Sequence, residues 1–238
     1  MARFLLIHGS CHGAWCWRDL LPLLRQAGHQ AEAIDLPSHG QDRTPAAEVT
    51  LDLYARAIVA AARAMGGPVV LVGHSMAGYP ITAAAELAPE TIERLVYLCA
   101  YPPAPGQSLA DRRRAAARQP LLPHIRRTPD GLAWTVDPDR LAEVFYHDCP
   151  PGTVDYARAH LTPQPIRPQE TVLALTERSA GLPRHYIRCT DDRTIPPEWQ
   201  EAMTADWPAA SVSTLPTGHS PFFAAPAMLA QSLIEIVQ

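Results

Sequence analysis

Residues 73–78, Gly-His-Ser-Met-Ala-Gly, place the strongest constraint on how this chain folds. A run of valine and leucine precedes them, as in a buried strand, and an alanine-rich run typical of a helix follows them. The pattern corresponds to the Gly-x-Ser-x-Gly motif, although Ala77 stands at the strict position of the second glycine and Gly78 follows it. Such a motif between a strand and a helix favours a nucleophile at Ser75 over a chance match at a helix start.

The glycines of this motif have a steric explanation. A strand that turns sharply into a helix holds the nucleophile in a strained conformation, and Gly73 and Gly78 keep Cβ atoms out of the crowded turn. Ser75 then lies at a helix N-terminus, where free N–H groups favour developing negative charge.

A serine nucleophile needs a general base, and a histidine near the end of the chain is the candidate. Residues 212–215 have the composition of a short strand, and His219 lies in the loop that follows them. A surface loop histidine is the alternative, but the preceding glycine and the apolar helix pattern after it favour the base. We therefore predict that His219 is the base.

The base needs an orienting carboxylate, which should follow the preceding strand. Residues 184–189 have strand composition, and Asp191 and Asp192 follow them. Successive side chains of an extended segment point in opposite directions, so only one of the two can face His219. The residues alone do not decide between them.

Acyl transfer also needs two N–H groups aimed at the carbonyl oxygen. One is expected from Met76, directly after the nucleophile, and the other from Ser10, in the loop after an early apolar strand. His8 and His12 in that loop could instead suggest metal ligands. No carboxylate or third histidine stands at a useful spacing from them, so neither a metal nor another cofactor is expected.

Residues 8–17, HGSCHGAWCW, resemble the opening of the α/β-hydrolase group that contains plant methylesterases, hydroxynitrile lyases and bacterial esterases. The likeness continues through 23–29, 35–40 and the serine motif, resumes at 189–196 and 218–219, and fades between them. The resemblance implies an α/β-hydrolase fold. It also implies that Asp192, the aspartate of the Thr-x-Asp loop at 190–192, is the acid.

Two positions separate this chain from the hydroxynitrile lyases of that group. Those lyases carry a lysine directly after the catalytic histidine and a threonine in the first loop. This chain has Ser220 and Gly9 there, and it contains no lysine at all. Both positions resemble the esterase branch, so the resemblance disfavours cyanohydrin cleavage.

Strand and helix patterns alternate along the chain, which predicts a mainly parallel sheet flanked by helices. We predict six strands, near 3–8, 31–35, 69–73, 94–99, 184–190 and 211–215. Helices are predicted near 17–27, 50–65, 76–88, 168–178, 196–206 and 221–237. More than 80 residues separate the fourth and fifth strands, too many for a simple crossover. We therefore predict an inserted cap at 102–167, over a hydrolase core formed by 1–101 and 168–238.

The predicted cap is expected to cover the site and supply part of the substrate pocket. Trp134 resembles the aromatic residue that the family places over its pocket, although packing within a small cap core explains it equally well. Phe145, Leu121 and Tyr79 are further pocket candidates.

Composition agrees with an ordinary soluble enzyme. The net charge of −4 gives no reason to expect nucleic acid, and the run Arg112, Arg113, Arg114 is expected to be a solvated helix face. The five cysteines are scattered, which suggests free thiols in a reducing, cytoplasmic compartment. No membrane partner is expected, because glycines and prolines interrupt the uncharged stretch at 64–85. The resemblance implies a monomer or a homodimer.

Together these features predict a serine carboxylic-ester hydrolase that acts on small esters through an acyl-enzyme. The alternatives are a lyase that uses the same triad and a non-catalytic receptor for a small ligand. A receptor need not keep every catalytic element, so the complete set argues against it.

Overall fold

The computed structural model describes residues 1–238, and its centre is a six-stranded parallel sheet. The strand order is β2-β1-β3-β4-β8-β9. These strands are β1 (Arg3–Ile7), β2 (Gln30–Ile34), β3 (Val69–His74), β4 (Ile92–Leu98), β8 (Arg184–Cys189) and β9 (Val212–Leu215). The six predicted strands and their parallel arrangement are confirmed.

Both faces of the sheet are buried, as the continuous apolar runs of a parallel sheet require. Leu5 and Ile7 belong to a cluster of 30 buried residues on one face. Phe4 and Leu6 belong to a cluster of 28 on the other face. Because side chains alternate along a strand, β1 serves both cores, and every residue of β3 is buried as well.

Helices cover both faces of this sheet. Those of the first part of the chain are α1 (Leu21–Gln26), α2 (Leu51–Ala64), α3 (Gly78–Leu87), α4 (Leu109–Arg114), α5 (Leu141–Val144) and α6 (Thr153–Arg158). Those of the second part are α7 (Arg167–Glu170), α8 (Glu177–Ala180), α9 (Pro197–Met203), α10 (Pro221–Ala224) and α11 (Pro226–Ile236). Short 3₁₀ helices lie at Ala14–Trp17, Ala46–Glu48, Ser75–Ala77, Pro89–Thr91, Leu122–His124, Pro138–Arg140 and Ala209–Ser211.

Three predicted helices are divided. The helix expected near 168–178 is two four-residue helices, α7 and α8, separated by a non-helical stretch at 171–176. The helix expected near 221–237 is interrupted at Ala225, because a proline follows and disfavours the helical conformation before it. The helix expected near 17–27 begins as a 3₁₀ turn and continues as α1.

The long segment between β4 and β8 has a small antiparallel sheet of its own. Its strands are β5 (Ile125–Arg127), β6 (Ala133–Val136) and β7 (Gln164–Pro165), in the order β5-β6-β7. Trp134 and Phe145 from this segment belong to the same apolar cluster as Phe222 of α10. The segment is therefore continuous with the apolar core on one side of the main sheet. No helix of the protein combines the length and the apolar character that a membrane span requires.

Candidate active site

Ser75 lies at the turn between β3 and α3 with a φ of +55°. Strain of this kind persists only where neighbouring structure enforces it. A Cβ at Gly73 would lie 3.0 Å from the Ala77 carbonyl oxygen, and one at Gly78 would overlap the Tyr101 carbonyl oxygen. The second glycine is thus needed at Gly78, whereas Ala77, fully buried, fits the strict motif position with its methyl group.

The chain that leaves β4 holds this turn from outside. The Tyr101 N–H donates to the Ser75 carbonyl at 3.0 Å, which requires the backbone of Tyr101 to lie close to Gly78. The Tyr79 hydroxyl donates to the Gln107 carbonyl at 3.0 Å. The turn at residues 73–78, called the elbow below, therefore packs together with residues 101–107.

His219 lies in the loop after β9, with its ring beside Ser75. Its Nε2 is 3.1 Å from the Ser75 Oγ, close enough to accept the hydroxyl proton. The Gly218 N–H donates to the Asp148 carboxylate at 2.6 Å, which fixes the loop just before the histidine. Both Ser75 and His219 are buried.

Asp192 lies on the other side of the same imidazole. The His219 Nδ1 donates to Asp192 Oδ2 at 2.8 Å. The same carboxylate accepts the Gln200 amide at 3.0 Å and the N–H groups of Thr194 and Ile195 at 2.7 and 2.9 Å. A buried carboxylate with four donors is well compensated for the loss of water.

Asp191 is exposed, in contrast, and does not bond to His219. Its N–H donates to the Thr217 carbonyl, which ties the two loops together and turns its side chain to solvent. The geometry therefore distinguishes the two neighbours that the residues alone left unresolved.

Ser10 and Met76, the expected oxyanion donors, line the same cavity as Ser75 and His219. The Ser10 N–H donates to no acceptor within the protein. Met76 is the second residue of a short helix, where an N–H has no partner in the preceding turn. The Ser10 side chain accepts from the Gln169 amide at 2.8 Å, so α7 supports the loop.

His12 anchors that loop from below. Its Nδ1 donates to the Ser10 carbonyl at 2.8 Å, and its Nε2 accepts the Tyr146 hydroxyl at 2.7 Å. Burial lowers the pKa of His12 to about 3, so the ring stays neutral and its tautomer is fixed by these two bonds. His12 thus positions Ser10, a role that the residue pattern did not reveal.

His8 is likewise a structural residue. Its Nδ1 donates to the Gly9 carbonyl, its Nε2 accepts the Leu36 N–H, and burial lowers its pKa to about 4. The group of potential metal ligands with close spacing is instead His74, Cys99 and His219. The His74 Nε2 donates to the His219 carbonyl at 2.8 Å, so this cluster serves to brace the loop of the base.

Gly9 lies directly against the elbow. A Cβ there would stand 2.6 Å from the His74 Nδ1 and 3.0 Å from the Ser75 Cβ. A larger residue would displace the loop or the nucleophile.

The cavity above Ser75 encloses about 400 Å³, including its open mouth. Three of the predicted pocket residues, Trp134, Leu121 and Phe145, line it. Tyr79 does not, and that prediction is corrected: its ring is fully buried in the core and its hydroxyl bonds the backbone. The wall also contains residues that were not identified from sequence: Tyr101, Leu109, Arg113, Gln169, Thr194 and Ile195.

The expected solvated face at 112–114 is also corrected. Arg112 and Arg113 are only partly exposed, and each has a buried Nε without an acceptor. Arg112 packs over the Trp199 ring, whereas Arg113 lines the active-site cavity. Only Arg114 meets the expectation, exposed and paired with Asp111 at 2.7 Å.

Comparison with known proteins identifies the family. The family model described as "Alpha/beta hydrolase family" matches residues 4–232. The chain belongs to the α/β-hydrolase family. Methyl jasmonate esterase 1 of Vitis vinifera is 30% identical, over 99% of this chain and 97% of that protein.

Solved structures of this α/β-hydrolase family agree with the sequence relatives. A pyrethroid hydrolase from Sphingobium faniae superposes with a TM-score of 0.88 at 27% identity, covering 98% of this chain and 96% of that one. The methylesterase MES16 from Arabidopsis gives 0.87 at 26% identity, covering 100% and 99%. The predicted fold and group are confirmed, and so is the enzyme class, that of the ester hydrolases.

Proposed function

We propose that this protein hydrolyses small carboxylic esters through Ser75, His219 and Asp192. The observation that carries the proposal is the continuous chain of hydrogen bonds from the Ser75 Oγ through the His219 ring to Asp192, at 3.1 and 2.8 Å. A neutral imidazole that donates through Nδ1 presents Nε2 as the acceptor, which is the tautomer that activates a hydroxyl.

The first half of the reaction forms an acyl-enzyme. The Ser75 Oγ attacks the ester carbonyl carbon while His219 takes the hydroxyl proton. The N–H groups of Ser10 and Met76 stabilise the oxyanion. When the tetrahedral intermediate collapses, the bond to the alkoxide oxygen breaks and His219 protonates the departing alcohol.

The second half repeats these steps with water. His219 takes a proton from the water, whose oxygen attacks the acyl carbon, and returns that proton to the Ser75 Oγ as the acid leaves. Asp192 remains ionised throughout and stabilises the transient imidazolium. The net reaction consumes one ester and one water and yields one acid and one alcohol.

The lining of the cavity supports a small organic substrate. Apolar side chains form much of its wall and a few polar groups converge beside Ser75, as in sites for small molecules. The named relatives are methyl-ester and pyrethroid hydrolases, which supports the ester class without identifying the ester.

Cleavage of cyanohydrins is the second activity to test, because Arg113 supplies a cation to the cavity. The position after the base gives no such support: Ser220 is fully buried and does not line the cavity. The two reactions differ in what leaves, since an alkoxide is protonated by His219 whereas cyanide needs a neighbouring cation.

The test compares initial rates on p-nitrophenyl acetate, a panel of methyl and aryl esters, and mandelonitrile, at one pH and one enzyme concentration. We expect ester hydrolysis to exceed cyanide release by a wide margin. Turnover of no ester would contradict the proposal and favour a receptor. A faster rate on mandelonitrile would make the protein a lyase.

A further inference from the structure

Arg113 is an unpaired cation on the wall of the active-site cavity. It forms none of the ion pairs of the structure. Its Nε is buried without an acceptor. A guanidinium partly withdrawn from water costs free energy unless an anion or a set of acceptors compensates it. Within the protein alone, that compensation is missing.

The surroundings of Arg113 do not supply a partner. Burial lowers its pKa, the Arg114 charge acts in the same direction, and Tyr101 and Glu170 offset this only in part. Glu170 is exposed and stands beyond salt-bridge distance. The cavity itself is lined by no aspartate or glutamate.

A second cavity adjoins the same residue. It shares Arg113, Trp134 and Gln169 with the active-site cavity and has a volume of about 510 Å³, including its open side. Arg127 also lines it, together with Arg114, which is paired with Asp111, and the carboxylate of Glu170. Arg127 is exposed and unpaired, so this outer chamber carries a net positive charge.

The two cavities together describe a bipartite site. The inner end presents Ser75 and His219, and the outer end presents guanidinium groups that match a carboxylate in geometry and charge. A small neutral ester would occupy only the inner end. An ester with a second, ionised group would place that group against Arg113.

We propose that Arg113 binds a carboxylate of the substrate, so that the preferred substrates are half-esters of dicarboxylic acids or similar anionic esters. This proposal rests on the ester hydrolysis proposed above and adds the substrate class to it. Arg113 acts as a specificity residue that contacts the substrate away from the reacting atoms.

The experiment measures the ratio of kcat/KM for an anionic ester to kcat/KM for the matching neutral ester. For wild type, kcat/KM is determined for monomethyl esters of dicarboxylic acids of three to eight carbons and for the matching dimethyl esters. We expect the anionic ester to be favoured at one chain length, the one that reaches from Ser75 to Arg113. In Arg113→Gln the anionic-to-neutral ratio should fall on the order of ten- to a hundredfold, the range for a charged hydrogen bond.

Two further variants control the result. Arg113→Lys keeps the charge without the planar fork and should retain part of the ratio. Arg118→Gln removes an exposed arginine, paired with Glu198 at 2.7 Å outside both cavities, and should leave the ratio at its wild-type value. A thermal melt establishes that each variant is folded; if Arg113→Gln does not fold, Arg113→Lys decides.

The outcomes separate the two proposals. If p-nitrophenyl acetate is hydrolysed but the ratio is the same in wild type and the folded Arg113 variants, the carboxylate site is wrong and the esterase stands. If no ester is hydrolysed, the esterase proposal fails. The carboxylate site is then decided by calorimetric titration of monomethyl adipate: binding that weakens at least tenfold in Arg113→Gln supports it, and equal or undetectable binding overturns it.

Discussion

The two sides of the active-site cavity differ in how their polar groups are satisfied. On the sheet side, Asp192 accepts four hydrogen bonds and His219 is bonded at both ring nitrogens. On the opposite side, formed by the segment between β4 and β8, the wall is mostly apolar and its one guanidinium, Arg113, is unpaired. The first arrangement holds the reacting atoms in place. The second leaves the apolar wall and the Arg113 guanidinium available to contact the substrate.

Substitutions on the sheet side should therefore abolish turnover, and the largest effect is expected at the nucleophile. Ser75→Ala should lower kcat by about 10⁴ to 10⁶, since loss of one triad member removes the function of all. Initial rates on p-nitrophenyl acetate measure this, with Ser211→Ala, outside the site, as the matched control. Activity within about tenfold of wild type would contradict the mechanism.

The next prediction concerns Asp192, which lies on the same side of the cavity and bonds to His219. Asp192→Asn should lower kcat by about 10⁴, because the amide favours the wrong imidazole tautomer and no longer stabilises its cation. Asp191→Asn, a neighbouring exposed carboxylate, should stay within a few fold of wild type. If Asp191→Asn proves the more harmful, the acid is the other residue.

The buried histidines predict how the sheet side responds to acid. Burial lowers the pKa of His8 to about 4 and of His12 to about 3, and it lowers those of His39 and His74 as well. The unfolded chain takes up protons at these residues near pH 6.5. Between that pH and the folded values the unfolded state binds more protons, so the free energy of unfolding should fall as the pH is lowered.

The expected slope is on the order of 1.4 kcal/mol per pH unit for each of these histidines. For His8 alone this amounts to about 3 kcal/mol between pH 6.5 and 4. Urea unfolding at pH 7.5, 6.5, 5.5 and 4.5 measures it. A stability that is flat or rises toward pH 4.5 would disagree with neutral buried histidines.

Gly9 tests how closely the first loop must approach the elbow. Gly9→Ala places a methyl group against the His74 ring and the Ser75 Cβ. We expect kcat to fall by about 10², the size of effect that a displacement of about 1 Å produces. Gly181→Ala, at a glycine with an ordinary helical φ of −75° outside the cavity, controls for the loss of a glycine as such.

Leu121→Ala, on the opposite wall, should have the smallest effect. Leu121 is partly exposed and bonds no catalytic group, so we expect kcat/KM to change only a few fold and to differ between short and aryl esters. A loss as large as that of Gly9→Ala would mean that the two sides do not differ as described. The same ester panel provides the measurement.

The part of the molecule that sequence predicted well is the part with local signals. The proposed catalytic residues Ser75, Asp192 and His219 each follow a strand of the main sheet, and the Gly-x-Ser-x-Gly motif indicated Ser75 whereas chain order indicated His219. Asp191 and Asp192 are adjacent and chemically identical, so separating them required either the family resemblance or the three-dimensional contacts. The helix expected at 168–178 failed because apolar content there reflects packing and not a continuous helix.

The contacts that sequence did not reveal join residues far apart in the chain. Gln169 reaches Ser10 across 159 positions, and Tyr146 reaches His12 across 134. Arg113 was predicted to be solvated because α4 is rich in charged residues, and only the fold shows that it lines the active-site cavity. Tyr79 was a pocket candidate close to the nucleophile in sequence, whereas its ring is buried in the core.

The bond between the Tyr101 N–H and the Ser75 carbonyl bears on how a substrate enters. Because residues 101–107 are fastened to the elbow and to Tyr79, the stem of the overlying segment cannot swing without pulling on the nucleophile. A movement of the overlying segment that keeps these bonds therefore has to hinge beyond residue 107, where the chain forms the small sheet β5-β6-β7. Movement there would widen the cavity for the substrate while the backbone that carries the Ser75 Oγ keeps its position.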